Sequence, residues 1–205
     1  MDTTPTPDID WSEAQADPMA WFARWYAVAQ TLDLHEPTAM TLATVDADGT
    51  PSCRVVLLKD FDARGFVFYT NLQSRKGQAL AHHQRAALLF WWPPQERQVR
   101  VEGRVSLVDD AEADAYYASR PRGSQLGAWA SPQSRPIASR ATLQEGVSTF
   151  AARFADQAVP RPPHWSGWRV EPLAMEFWQG RPDRLHDRVR LERQADGWRA
   201  QRLAP

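Results

Sequence analysis

The stretch Thr38–Thr70, TAMTLATVDADGTPSCRVVLLKDFDARGFVFYT, holds three apolar, β-branched runs separated by two turn signals. Thr38–Val45 alternates in part and stops at Asp46-Ala47-Asp48-Gly49. Pro51–Asp60 follows, then Asp62-Ala63-Arg64-Gly65, then Phe66–Thr70. Gly and Asp at such positions favour tight turns, and β-branched and aromatic residues favour strands. Connections this short join antiparallel neighbours, because a parallel crossover needs a dozen residues or more. The expectation is an antiparallel meander.

Outward from that stretch the pattern continues. Towards the N-terminus, Asp17-Pro18 is a helix start with Asp17 as N-cap, and Phe22, Trp25, Tyr26, Ala29 and Leu32 follow at helical spacing as a core face. Residues 1–16 are acidic and polar and read as a flexible tail. Towards the C-terminus, helices are expected at Ser74–His83, Asp109–Ser119 and Ala138–Ala155. Strands are expected at Ala86–Trp92, Gln98–Val108, Trp168–Glu171, Ala174–Trp178, Val189–Gln194 and Trp198–Leu203. Arg120–Pro136 reads as a polar loop. The sum is one mainly β domain, residues 17–205, an antiparallel barrel with helices packed on it.

Composition narrows the function. Charge is balanced, 24 basic against 25 acidic residues, so no global field points to nucleic acid or an anionic membrane, and any anion site must be local. Nothing resembles a signal peptide or a membrane span. The single cysteine, Cys53, rules out an intrachain disulfide and suits a reducing, cytoplasmic setting. The dinucleotide, P-loop and zinc patterns are absent, and no metal site is expected. Ten tryptophans suggest a subunit interface.

Basic residues instead sit in strands and at strand ends. Arg54 and Lys59 bracket Val55–Leu58 and differ in parity, so a regular strand cannot present both on one face. Arg75 and Lys76 open a helix beside Tyr69, Thr70 and Ser74, where free backbone N–H groups and two cations suit a phosphate. Arg120, Arg122 and Ser124 form a second group. Arg184, His186 and Arg188 form a third, sharing one face if the segment is extended. Spacing and charge point to an anionic ligand, with basic groups enough for two phosphates, and do not name it.

Five strings in this order resemble the pyridoxine/pyridoxamine 5′-phosphate oxidase family: RVVLLKDFDARGFVFYTNLQSRKG (Arg54–Gly77), ERQVRVEG (Glu96–Gly103), YYASRPRGSQLGAWAS (Tyr116–Ser131), PQSRPI (Pro132–Ile137) and EFWQGRPDRLHDR (Glu176–Arg188), with WRAQRLAP at the end. The resemblance spans about residues 37 to 205. It implies a split-barrel FMN-binding fold, an antiparallel Greek-key β-barrel, working as a homodimer through a C-terminal dimerisation and substrate region. By the same resemblance, FMN is held by Arg54, Lys59, Tyr69, Thr70, Arg75, Lys76, Gln98, Gln133, Ser134, Trp178 and Arg188, some from a second subunit. The substrate phosphate falls to Lys59, Tyr116, Arg120 and Ser124, and the pyridine ring to Arg184 and His186, the expected catalytic pair. The implied reaction is oxidation of pyridoxamine or pyridoxine 5′-phosphate by dioxygen. A flavin oxidase acting on a phenazine precursor and a non-catalytic flavin or pyridoxal-phosphate carrier are the alternatives. The chain departs from the pattern twice: Gly123 stands where some relatives are acidic, and residues 1–16 hold no Arg, Lys or Tyr with which to close over a substrate.

Overall fold

The computed structural model describes residues 9–205. The elements run α1 (Trp11–Ala16), α2 (Pro18–Gln30), β1 (Ala39–Val45), β2 (Pro51–Leu57), β3 (Asp60–Asp62), β4 (Gly65–Asn71), α3 (Arg75–His83), β5 (Arg85–Trp92), β6 (Arg97–Leu107), α4 (Asp110–Ser119), α5 (Arg122–Ala130), α6 (Arg140–Arg153), β7 (Trp165–Gln179), β8 (Asp187–Gln194) and β9 (Gly197–Arg202). All strand pairs are antiparallel. The order is β2-β1-β5-β6-β7-β4-β3, with β8 on β7 and β9 on β8.

The barrel splits at β7. Its first half pairs with β4 and its second half with β8 on the same edge, while β6 pairs with it across the break, from Trp168 to Gln179. The change of partner falls at Pro172-Leu173, where the β6–β7 register also shifts. Proline has no N–H to donate to a ladder, so the pairing yields there. Gly103 lies opposite, and a Cβ on it would stand 2.1 Å from the Glu171 carbonyl oxygen. Two separate strands were expected from the sequence on either side of Pro172. The continuous β6 makes them one bent strand.

The other end of the sheet path closes through two residues. β2 and β3 are its terminal strands and are consecutive in the chain. Between them, the Leu58 N–H donates to Thr38 O and the Lys59 N–H donates to Val67 O. Lys59 therefore sits on the seam of the barrel. This break in the expected strand Pro51–Asp60 frees Lys59 from the facing that a regular strand would impose.

Helix α2 plugs the barrel as its sequence pattern requires. Asp17 accepts from the Met19 and Ala20 N–H groups, and Pro18 occupies the first turn. Phe22 is fully buried and meets Phe61, Phe66 and Phe90 with ring centroids 4.8–5.0 Å away. A second, smaller core outside the barrel joins Tyr117, Leu126, Phe154, Val159 and Trp165, and holds α4, α5 and α6 together.

Two expectations are corrected. Residues 11–16 form α1, capped by Asp10, with Ile9 and Ala14 buried, so the tail reading fails there; residues 1–8 lie outside the described part. Within Arg120–Pro136, residues Arg122–Ala130 are helical. The Arg122 guanidinium donates to the carbonyls of Phe154, Ala155 and Gln157 just past the end of α6, so its role is structural.

Candidate active site

A cleft of ≈ 450 Å³ opens between the barrel seam and the α4–α5 unit. The seam and β2 contribute Lys59 and Val55, β4 contributes Tyr69 and Thr70, and α3 contributes Lys76. The helical unit supplies Tyr116, Arg120 and Ser124, and the loop after α5 supplies Gln133. Eight residues picked from the sequence thus meet in one place. Three of them are cations, and no carboxylate lines the cleft.

At the α3 end, Ser74 caps the helix by accepting from the Gly77 N–H. Lys76 Nζ donates to Gln133 Oε1 (3.0 Å) and Ser74 Oγ (3.2 Å), and Thr70 Oγ1 donates to the same Gln133 oxygen (3.2 Å). Burial, with the Arg54 charge nearby, holds the Lys76 ammonium down to about 8. A half-buried lysine with neutral partners can hold an anion. Ser134, at φ 69°, is one of few non-glycine residues in the left-handed region, and this turn directs Gln133 back onto Lys76.

At the other end, Tyr69 and Tyr116 stack at 3.9 Å, with Trp165 continuing the stack 5.3 Å from Tyr69. Burial, reinforced by Glu112, pushes the Tyr69 hydroxyl up to about 12, so it stays a neutral donor. Burial also depresses the Arg120 guanidinium, whose Nη1 is shut from solvent without a hydrogen-bond partner. A desolvated donor of this kind costs about 1–3 kcal/mol until an acceptor arrives.

Gly127 lies on the cleft-facing part of α5, and a Cβ built on it meets nothing within 4 Å. Glycine inside a helix costs about 0.5–1 kcal/mol relative to alanine. Gly127→Ala is therefore expected to raise stability by about that amount in denaturant titration. A fall would show that α5 packs closely at this point.

Other predicted site residues lie elsewhere. Arg54 faces β1 and donates to Leu42 O, Thr44 Oγ1 and Ser52 Oγ. Arg75 is more than half exposed and pairs with Asp46 at 2.6 Å. Gln98, Trp178 and Arg188 form one row across β6, β7 and β8, with Trp91 next to Gln98 on β5. His186 packs on Trp178 at 4.6 Å, and its Nδ1 accepts from the Arg181 N–H. Arg188 pairs at 2.9 Å with Glu176, which is 2% exposed. The expectation that 184, 186 and 188 share an extended face fails, because Asp183 and Arg184 have φ of 56° and 61° in a 3-10 turn and β8 begins only at Asp187.

One chain does not bring the two groups together. Trp165, in the cleft, and Trp178, in the row, stand near opposite ends of β7. At about 3.3 Å per residue the strand between them extends on the order of 40 Å.

Sequence reasoning missed Trp165, Gly127, Asp46 and Glu176. Trp165 was masked by the proline-bearing loop before it, and the two acids gave no local signal because their arginine partners are remote in sequence or on an adjacent strand.

Residues 28–153 match the family model described as pyridoxamine 5′-phosphate oxidase, and residues 165–205 match that of the pyridoxine 5′-phosphate oxidase C-terminal dimerisation region. The chain belongs to the pyridoxine/pyridoxamine 5′-phosphate oxidase family. A family member from Cupriavidus pinatubonensis is 57% identical over 195 residues, covering 95% of this chain and 92% of its own length. Another from Caulobacter vibrioides is 53% identical over 204 residues, covering 100% and 90%. Among solved structures, PhzG from Burkholderia lata 383, in complex with tetrahydrophenazine-1-carboxylic acid, superposes with a TM-score of 0.92 at 32% identity, covering 99% of this chain and 100% of that one. An FMN-binding protein from Nostoc punctiforme at 17% identity and TM-score 0.74 shares the fold. The oxidase family's split barrel is thus the fold expected from the sequence.

Proposed function

We propose that this chain oxidises pyridoxamine 5′-phosphate and pyridoxine 5′-phosphate to pyridoxal 5′-phosphate, with FMN as cofactor and dioxygen as the final acceptor. The observation that carries the reading is the cleft with three cations and no carboxylate, in a chain 53–57% identical to oxidases of that name. FMN fits the residues present: the half-buried Lys76, the open space over Gly127 and the aromatic wall suit a flat, phosphorylated group.

In this reading Lys76, Thr70 and Gln133 hold the FMN phosphate, with Arg54 and Ser134 close by and Arg75 adjacent on α3, turned towards Asp46. Lys59, Tyr116, Arg120 and Ser124 hold the phosphate of the substrate. FMN held there would supply the redox chemistry, a hydride equivalent leaving the substrate C4′ and the electrons ending on dioxygen as hydrogen peroxide. From the amine, water then releases ammonia. The cleft residues grip the remote phosphate and fix the ring's position, which in well-oriented systems is worth about 7–11 kcal/mol of barrier. A homodimer completes the site: a second copy brings Gln98, Trp178 and Arg188 to the flavin and Arg184 and His186 to the pyridine ring. Support for this comes from the match of residues 165–205 to a dimerisation region and from the length of β7. His186 and Arg184 orient the reacting carbon. A cytoplasmic setting belongs to the same reading; among the described residues no helix is long and apolar enough to cross a membrane.

The test is aerobic incubation of the FMN-loaded protein with each vitamer phosphate, following aldehyde and peroxide. Equimolar aldehyde and peroxide are expected. Turnover of a phenazine precursor with neither vitamer oxidised would move the substrate to that of the 32% identical neighbour's class, and no turnover at all would leave a carrier.

A further inference from the structure

Several arginines in this fold are held by carboxylates. Arg75 pairs with Asp46, Arg188 with Glu176, Arg169 with Glu112 and Asp62, and Arg161 with Asp110 and Asp114. Arg120 is different. Among the described residues no carboxylate lies within ion-pair distance of it. Its guanidinium carbon lies 4.6 Å from the centroid of the Trp165 ring and 5.5 Å from that of Tyr117.

Trp165 is itself fixed. It is 5% exposed, meets Tyr117 edge-on at 5.0 Å and stacks in line with Tyr69. Its N–H donates to Pro162 O and its carbonyl accepts from Arg161. The ring is a rigid, neutral surface at the mouth of β7.

The chemistry explains what a ring does here that an acid would not, and Arg97, 4.4 Å over the Trp25 ring, is held the same way. A carboxylate would hold the guanidinium firmly but would take the donors that a phosphate needs, and its charge would repel the anion. An aromatic face attracts the cation through its quadrupole without accepting the in-plane N–H bonds. The unpartnered Nη1 is what such a platform leaves behind.

We propose that Trp165 is a positioning residue for the substrate phosphate, holding Arg120 by its ring face so that the guanidinium donors remain free for the anion. The inference rests on reading Arg120 as the phosphate anchor.

The experiment uses FMN-loaded protein with inorganic phosphate as a competitive inhibitor and pyridoxamine 5′-phosphate as substrate, in Trp165→Leu, Trp165→Phe, Arg120→Ala and the Trp165→Leu/Arg120→Ala double variant. Losing a desolvated cation–π contact should raise the inhibition constant of phosphate and the KM about tenfold in Trp165→Leu. The value of kcat at saturation and the FMN content should hold, and Trp165→Phe should recover most of the loss. In the Arg120→Ala background the leucine should add little, because the ring acts through the arginine. Additive losses would overturn the proposal, as would an unchanged phosphate constant in Trp165→Leu when Arg120→Ala weakens it. If Arg120→Ala leaves phosphate binding intact, the anchor reading falls and the platform falls with it. Should Trp165→Leu not fold, Trp165→Phe carries the same comparison, with an expected rise of about two- to threefold that vanishes without Arg120.

Discussion

Affinity for FMN is expected to fall on the order of twentyfold between pH 7.5 and 9.5, and the fall is expected to disappear in Lys76→Met. The cause is the burial of Lys76, which with Arg54 nearby holds its ammonium at about 8 instead of the ordinary 10.5. Binding a phosphate requires that ammonium to be charged. Below pH 8 the proton is already present. Above it, each binding event must first take up a proton, so affinity drops with pH until the bound state also titrates. Stability without flavin runs the other way. Between 8 and 10.5 the unfolded chain holds a proton that the folded chain has lost, so this group makes the fold more stable as pH rises through that window. The cost is fully present below pH 8. Lys76→Met should flatten both curves. Isothermal titration with FMN and denaturant melts of the flavin-free protein, at matched ionic strength, measure the two arms. Constant affinity across the range, with wild-type and Lys76→Met alike, would remove Lys76 from the phosphate site.

Much of this arrangement was legible in the sequence because local and tertiary signals agree. Asp17-Pro18 starts a helix whose apolar face fills the barrel, and the turns at Asp46–Gly49 and Asp62–Gly65 join antiparallel strands as read. What was not legible depended on remote partners. Helix α5 carries Gly123, Ser124 and Gly127, all weak helix formers; burial of Leu126 and the tie of Arg122 to the end of α6 outweigh propensity. Helix α1 is six residues long and acquires its stability by laying Ile9 and Ala14 into the core. The segment RLHDR looked extended because alternate residues are basic or aromatic, yet two left-handed residues turn it, and no spacing rule foretells that. Six of the cleft's eight residues were found because charge at strand and helix ends is unusual; Tyr116 and Gln133 came only through the family resemblance. Trp165 was not found, because a tryptophan after a loop looks like core, and in part it is.

Mixing two impaired variants, assayed well below the KM of either, is expected to restore about a quarter of wild-type kcat/KM, because dimers built from both chains contain one intact site in two. The variants are Arg120→Ala, which damages the cleft, and His186→Ala, which damages the strand-end group. In the proposed shared site these residues serve one substrate from different chains, a reading supported by the thirteen residues of β7 between Trp165, beside Arg120, and Trp178, beside His186. Each homodimer then has two defective sites and should show a kcat/KM lowered roughly thirty- to hundredfold, as about 2–3 kcal/mol of lost transition-state stabilisation implies. In a mixed dimer one site combines two damaged halves, and the other combines the intact cleft of the His186→Ala chain with the intact Arg184 and His186 of the Arg120→Ala chain. Random reassociation makes half the dimers mixed, hence the quarter. Co-refolding at equal concentration, with activity followed against mixing ratio, measures it. The curve should peak at equimolar mixing with the KM of the wild type. A straight line between the two parental activities would show that each chain completes its own site, and would overturn the shared-site reading while leaving the cleft's phosphate chemistry untouched.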